Sequence, residues 1–446
     1  MTSVVKKTII VFMITLAALT LSGCMSISVE DLYSLPQASD EYLQLQRQIN
    51  SVLSLGAEFS PPTGGPNRQA VQLKDLDGDG ADEVIAFFSI LGDSSLRIYI
   101  FSMVDGDYSV AEVIEGYGTA FESVRYTDMD GDGVVEIIVG WQMGATLKHV
   151  SIYSIKDFHS VLLVGRDYSD ITVYDLHDDG NESVVVFRLP SQDSGAVAEM
   201  LSLMPDGEVV SSEAKLSSGI ETITRVLTGR LIDGVPAVFV ESEGRFDSGS
   251  LVTDICVSLD WEFSNVSIKG SNSISLDTVR TRINSSDVNK DGIIKVPMPR
   301  RLQAQSETAY YAIDWYAYNS LGHSSLALTT YHNNSDEWFL ILPFNWREKV
   351  SVRREDIVSG ERTVIFSYIR GVNGPYEDFL KVHKITGEMR EERARQNGRV
   401  MLRSDGAAVY AFEILTQPNS FGLSFDEALI RANFMLIHSD WLSVTE

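Results

Sequence analysis

Residues Asp75 to Glu83 read DLDGDGADE, five carboxylates and two glycines in nine positions, and Asp128 to Glu136 read DMDGDGVVE. In the first stretch Asp75, Asp77 and Asp79 occupy positions 1, 3 and 5, Gly80 position 6, Ala81 position 7 and Glu83 position 9. The second repeats this with Asp128, Asp130, Asp132, Gly133, Val134 and Glu136. In an extended chain that then turns, alternate residues point toward one centre, and converging carboxylates repel. A hard cation held by oxygen ligands removes that cost, and Ca²⁺ suits such a set, with the backbone carbonyls of Ala81 and Val134 at position 7. Gly at position 6 allows the sharp turn. The alternative is a metal-free Asp-Gly turn, which fits a hairpin in any case.

The stretch recurs in weaker form. Aligned on the closing glycine, Gly80, Gly133, Gly180, Gly234 and Gly292 lie 53, 47, 54 and 58 residues apart. Each follows an extended run and precedes a β-branched one (VIAF, EIIVG, SVVVF), which places each turn at a hairpin tip. A unit of about 50 residues holds four short strands, one blade of a propeller. The fold expected is mainly β, a β-propeller of about five blades followed by a small α+β C-terminal domain. The divisions expected are a leader at 1–23, a linker at 24–37, an N-terminal helix at 38–60, the propeller at 61–334 and the α+β domain at 335–446. That last domain is expected to end in a helix capped by Ser424 with Glu427, its face lined by Ile430, Phe434 and Ile437.

The later loops are poorer ligand sets. Loop three keeps Asp175, His177 and Asp179 but has Ser183 at position 9; loop five keeps Asp287, Asn289 and Asp291 but has Lys295 there. An ammonium at that position can pair with the aspartates in place of a metal. Loop four keeps only Asp233-Gly234. Two good Ca²⁺ sites are expected, with the others weak or dead.

An EF-hand needs a bidentate Glu at position 12 and flanking helices; here position 12 is Ala86 or Val139, and both flanks read as strands. The ninth-position acid on a strand hairpin resembles FG-GAP and VCBS repeats, which implies an integrin-like calcium-loop β-propeller over about 75–300. The FG and GAP signatures themselves are missing. Leu21-Ser22-Gly23-Cys24 follows Lys6, Lys7 and an apolar run and resembles the bacterial lipoprotein box, in which the cysteine is acylated and becomes the new N-terminus. Together these features resemble VCBS-type lipoproteins of Gram-positive anaerobes. The resemblance implies a membrane-anchored, extracytoplasmic protein with lipid on Cys24.

Over 446 residues the net charge is −26, which argues against nucleic-acid binding, since that needs clustered cations to neutralise phosphates. Cys256, in the strand-like LVTDICVSLDW, reads as a buried hydrophobe. HExxH, GxSxG, Walker and GxGxxG patterns are absent, so no enzyme is expected. The expected function is binding of a protein or glycan by a monomer; the alternative is a polysaccharide hydrolase or lyase on a propeller scaffold. The aromatics of WQMGATLKH and DWYAYNSLGH read as packing residues, with sugar stacking as the alternative.

Overall fold

The structure is a computed structural model. It describes residues 40–437 apart from 91, 93–94, 105, 117, 157, 192–193, 245–248, 269–279, 282, 304–307, 357, 372–373, 417–419 and 424. The leader, Cys24, the linker and Ser424 lie outside the described residues.

Helix α1 (Asp40–Ser54) opens the described chain. Val52 is buried, with Leu45, Ile49 and Leu53 packed beside it, while Leu43 is exposed. Among the described residues six antiparallel sheets follow: 57–116, 120–168, 170–215, 220–281, 295–342 with 434–436, and 350–414. The first, fourth, fifth and sixth have five strands each, the second and third four.

The sequence explains how they stack. Runs such as IIVGW (137–141) and VVVF (184–187) are apolar at every position, which suits strands covered on both faces. Alternate side chains of one strand then serve two cores. Ile137 and Val139 face sheet one while Ile138 faces sheet three. Val184 and Val186 face sheet two while Val185 and Phe187 face sheet four. Sheets four and five share a core through Phe239, Val257, Val296 and Tyr318, and sheets five and six through Trp338, Leu340, Val364 and Phe412. On the far side of sheet one, α1 covers Val84, Ala86, Phe88 and Phe101. On sheet six, Ala394, just past helix α2 (Arg390–Arg393), covers Ile385, Val409 and Ala411. These coverings do for the terminal sheets what a neighbouring sheet does for the others.

Three expectations need correction. The division between 334 and 335 cuts a hairpin, because Ser324–Asn333 pairs with Trp338–Leu342 across a turn closed by Glu337 at φ 62°. The turn Phe344–Trp346 links sheets five and six, and 350–414 form a sixth sheet rather than part of a separate α+β unit. The C-terminal helix α3 (Glu427–Asn433) is capped by Asp426, whose Oδ1 accepts from the Leu429 N–H at 2.8 Å. It stops before Phe434, which instead opens a strand, Phe434–Leu436, on the edge of sheet five. Cys256 is buried in sheet four, and burial raises its thiol pKa. Trp141 and Trp315 are buried too, with their indole N–H groups on Ser151 and Thr330. Packing is therefore the right reading of both.

Candidate metal centres on the loop rim

All five acidic loops sit at the first hairpin tip of sheets one to five. Lys74 pairs with Glu83, Thr127 with Glu136, Tyr174 with Ser183, Arg230 with Pro236 and Ser286 with Lys295. The tips touch one another in order. A Cβ on Gly78 would meet the Gly133 carbonyl oxygen at 2.6 Å, and the Val135 N–H donates to the Leu76 carbonyl at 2.8 Å. Gly131 abuts the Asn181 amide of loop three. Arg230 at loop four pairs with Asp178 of loop three, and its carbonyl accepts from Ile294 of loop five at 3.1 Å.

Loops one and two share one geometry. Asp75 accepts from the N–H of Gly78 (2.8 Å) and Gly80 (3.0 Å); Asp128 accepts from Gly131 (2.7 Å) and Gly133 (2.9 Å). Gly78 and Gly131 share φ 76°, and Gly80 and Gly133 share φ 90°. Glu83 accepts from the Leu76 N–H at 3.0 Å, and Glu136 from that of Met129 at 2.9 Å. Each loop thus gathers three carboxylates: Asp75, Asp77 and Glu83 in one, Asp128, Asp130 and Glu136 in the other. Within each set one oxygen per residue lies within 4.8 Å of the others. Opposite ligands around a Ca²⁺ ion, at about 2.4 Å each, stand about 4.8 Å apart, so the oxygen-only donor sets fit a hard divalent cation. Asp79 and Asp132 are not in these sets; their Oδ1 atoms accept from the N–H of Ala81 (2.7 Å) and Val134 (2.8 Å).

Electrostatics favour the same reading. Glu83 and Glu136 are only 2% and 1% exposed. Burial pushes the Glu136 carboxyl up to about 7 against the lowering pull of the Met129 N–H, with Asp130 and Asp132 adding to the rise. Burial likewise raises Glu83, helped by Asp77, Asp79 and Asp75. Asp130 is raised by burial and by Asp132. A buried acid among acids is costly in charged form, and a cation reverses that.

The other loops hold their acids differently. In loop five the Lys295 ammonium, buried to 1% exposure, donates to Asn289 Oδ1 (2.7 Å), Asp291 Oδ1 (2.6 Å) and the Ile293 carbonyl (3.0 Å), with Asp287 at 3.7 Å. It takes the cation's place. In loop three Asp175 and Asp179 accept backbone N–H groups, but His177 turns away, its Nε2 3.0 Å from Ser258 Oγ and its ring against Trp261. His177 therefore does not join Asp175 and Asp179. Ser183, at the ninth position, bonds Ser202. In loop four Asp233 accepts from the N–H and hydroxyl of Ser320, at 2.9 and 2.7 Å. Sequence reasoning missed Arg230 and Trp261. Arg230 had a local signal, a cation just before an Asp-Gly turn; Trp261 had none, because its turn lacks glycine.

Residues 75–139 match the FG-GAP-like repeat. They span loop one through loop two and the start of the strand after it. No curated protein matches the chain. Among solved structures, the crystal structure of the exotype rhamnogalacturonan lyase YesX is similar at 14% identity and a TM-score of 0.31, over 78% of this chain and 62% of that one. The chain thus corresponds to less than two thirds of that lyase.

Proposed function

We propose that this chain is a Ca²⁺-stabilised, propeller-type scaffold whose six sheets act as blades and whose surface binds a protein or glycan outside the cell. The observation that carries the metal reading is the matched pair of carboxylate sets, each built on a buried glutamate. The residues that would hold the ion are Asp75, Asp77 and Glu83 in loop one and Asp128, Asp130 and Glu136 in loop two. When bound, it would neutralise the tips of sheets one and two where they abut. An ion that binds only the folded form stabilises it by mass action. Cys24 would carry the lipid that holds the chain at the membrane. The binding role is supported by the shape of the rim, where loops from successive sheets present polar groups on a rigid base.

The test is thermal unfolding in excess chelator and in about 5 mM Ca²⁺, some ten times a mid-range extracellular dissociation constant. Wild type should gain stability with Ca²⁺, and Asp77→Ala with Asp130→Ala should lose most of that gain. A wild type indifferent to Ca²⁺, with no metal by calorimetry, refutes the metal reading.

A further inference from the structure

On the loop rim, the tips of loops three and four and the outer hairpin of sheet four enclose a half-open cleft of roughly 770 Å³, walled by His177, Asp178, Asp179, Arg230, Asp233 and Trp261. Trp261 is held there by a turn that would favour another residue. Leu259 pairs with Glu262, so Asp260-Trp261 is a two-residue hairpin loop, with φ values of 49° and 65°. Positive φ at both central positions is the geometry that Asn-Gly adopts easily and that a Cβ resists. Trp261 nonetheless keeps 43% of its surface exposed. Its ring lies against the His177 imidazole, centroids 4.0 Å apart at 31°. The fold thus holds a broad apolar plate facing water at a conformational cost, the pattern of a residue kept for contact rather than for packing.

The polar groups around the plate are fixed in place. Arg230 pairs with both oxygens of Asp178 and donates to the Gly234 carbonyl at 2.8 Å. Asp233 is anchored on Ser320, and Asp179 on the Asn181 N–H at 2.9 Å. A flat apolar wall beside preset donors and acceptors suits a pyranose. The sugar's C–H face covers the indole, while its rim hydroxyls exchange hydrogen bonds with the carboxylates and the guanidinium. Charge narrows the class. Four aspartates, with Asp260 included, face one arginine already paired, so a uronate or sulfated sugar is repelled.

We propose that this cleft binds an uncharged pyranose of a glycan, with Trp261 as the stacking platform. The proposal rests on the reading of the chain as a binding module and names its ligand class and site. The carboxylate sets of loops one and two contribute none of its walls.

The test titrates the full chain, in Ca²⁺, with neutral oligosaccharides of glucose, mannose, galactose and N-acetylglucosamine, and in parallel with an oligogalacturonate and with choline, reading heat and indole fluorescence. At least one neutral oligosaccharide should bind. Trp261→Ala should weaken it at least about tenfold, as for an aromatic anchor, and Trp261→Phe far less. The melting temperature and Ca²⁺ response of both variants should match wild type, which separates lost contact from lost fold. Failure of all neutral oligosaccharides, binding undiminished by Trp261→Ala, or binding of oligogalacturonate or choline alone overturns the proposal. Sugar binding with no Ca²⁺ response in wild type supports the cleft and refutes the metal scaffold, so the two failures are distinguishable.

Discussion

Replacing Lys295 isolates the electrostatic logic of the rim at a loop whose acids meet a cation of the chain itself. Its ammonium is buried and makes three hydrogen bonds of 3.0 Å or less, two of them to Asn289 and Asp291 side chains. Breaking a fully buried ion pair costs about 3–5 kcal/mol. Asp287 and Asp291 keep 26% and 39% of their side-chain exposure, so they can partly rehydrate once the lysine is gone. Lys295→Met should therefore destabilise by a smaller amount, about 2–3 kcal/mol. Lys295→Glu restores the ninth-position acid of loops one and two. Without Ca²⁺ it should be less stable than Lys295→Met, because one more carboxylate joins the tip. In Ca²⁺ it should recover by more than wild type does. With about 5 mM ion and a dissociation constant on the order of 0.5 mM, one added site contributes about 1.4 kcal/mol. Urea unfolding of the three proteins, with chelator and with Ca²⁺, measures each difference. A Lys295→Met protein as stable as wild type, or a Lys295→Glu protein with no Ca²⁺ response beyond wild type, refutes the substitution of ammonium for metal.

Other outcomes follow from the same structure. Gly78→Ala places a Cβ 2.6 Å from the Gly133 carbonyl oxygen at φ 76°, and should cost about 1–3 kcal/mol and weaken Ca²⁺ stabilisation, checked by melting with and without the ion. Trp261→Gly relieves the strained turn and should raise stability by about 1 kcal/mol in urea unfolding while abolishing sugar binding. Burial pushes His332 down to about 3. The unfolded chain therefore takes up a proton near pH 6.5 that the folded chain refuses, so this stability is full above about 6.5 and is lost as pH falls toward about 3. His332→Phe, stacked on Phe339, should flatten the loss between these values by up to about 1.4 kcal/mol per pH unit, measured by denaturation across that window. Cys24→Ser should abolish incorporation of labelled palmitate in a bacterial host, and label retained on the variant would refute the lipid assignment.

What the sequence made legible was whatever chemistry is local. The acid ladder, the turn glycine and the ninth-position residue all lie within nine positions, so the carboxylate clusters of loops one and two, the ammonium of loop five and the hairpin tips could be read directly. Three features were hidden because their cause is distant or lacks a marker residue. Sheet six has no acidic ladder to align with the five repeats. Its separation from sheet five depends on the Asn333–Trp338 pairing, with Glu337 rather than glycine at positive φ. The strand Phe434–Leu436 pairs with Trp338–Leu340, nearly a hundred positions earlier, and that pairing ends the helical periodicity that Ile430, Phe434 and Ile437 had implied. Ser424 looked like a cap because a glutamate follows at the right spacing, yet Asp426 reaches the Leu429 N–H.

The rim shows why one repeat does not demand one ligand. Every tip that carries aspartates at positions 1 and 5 presents them to its own backbone N–H groups, and this shapes the turn whether or not an ion is present. What differs is the group that answers the remaining negative charge. In loops one and two the ninth residue is a buried glutamate whose pKa is raised; in loop two Lys156 lies 3.8 Å from Asp132, and the charge that remains at the carboxylate sets would suit a cation from solution. In loop three an arginine from the next sheet answers one carboxylate. In loop five a lysine at the ninth position answers them all. The same hairpin thus accommodates either an internal cation or a cluster of acids open to one from solution. Once loop three no longer needs its central residue as a ligand, His177 is free to swing outward and support Trp261. The loss of a metal site and the gain of a cleft would then be two consequences of the same departure from the repeat.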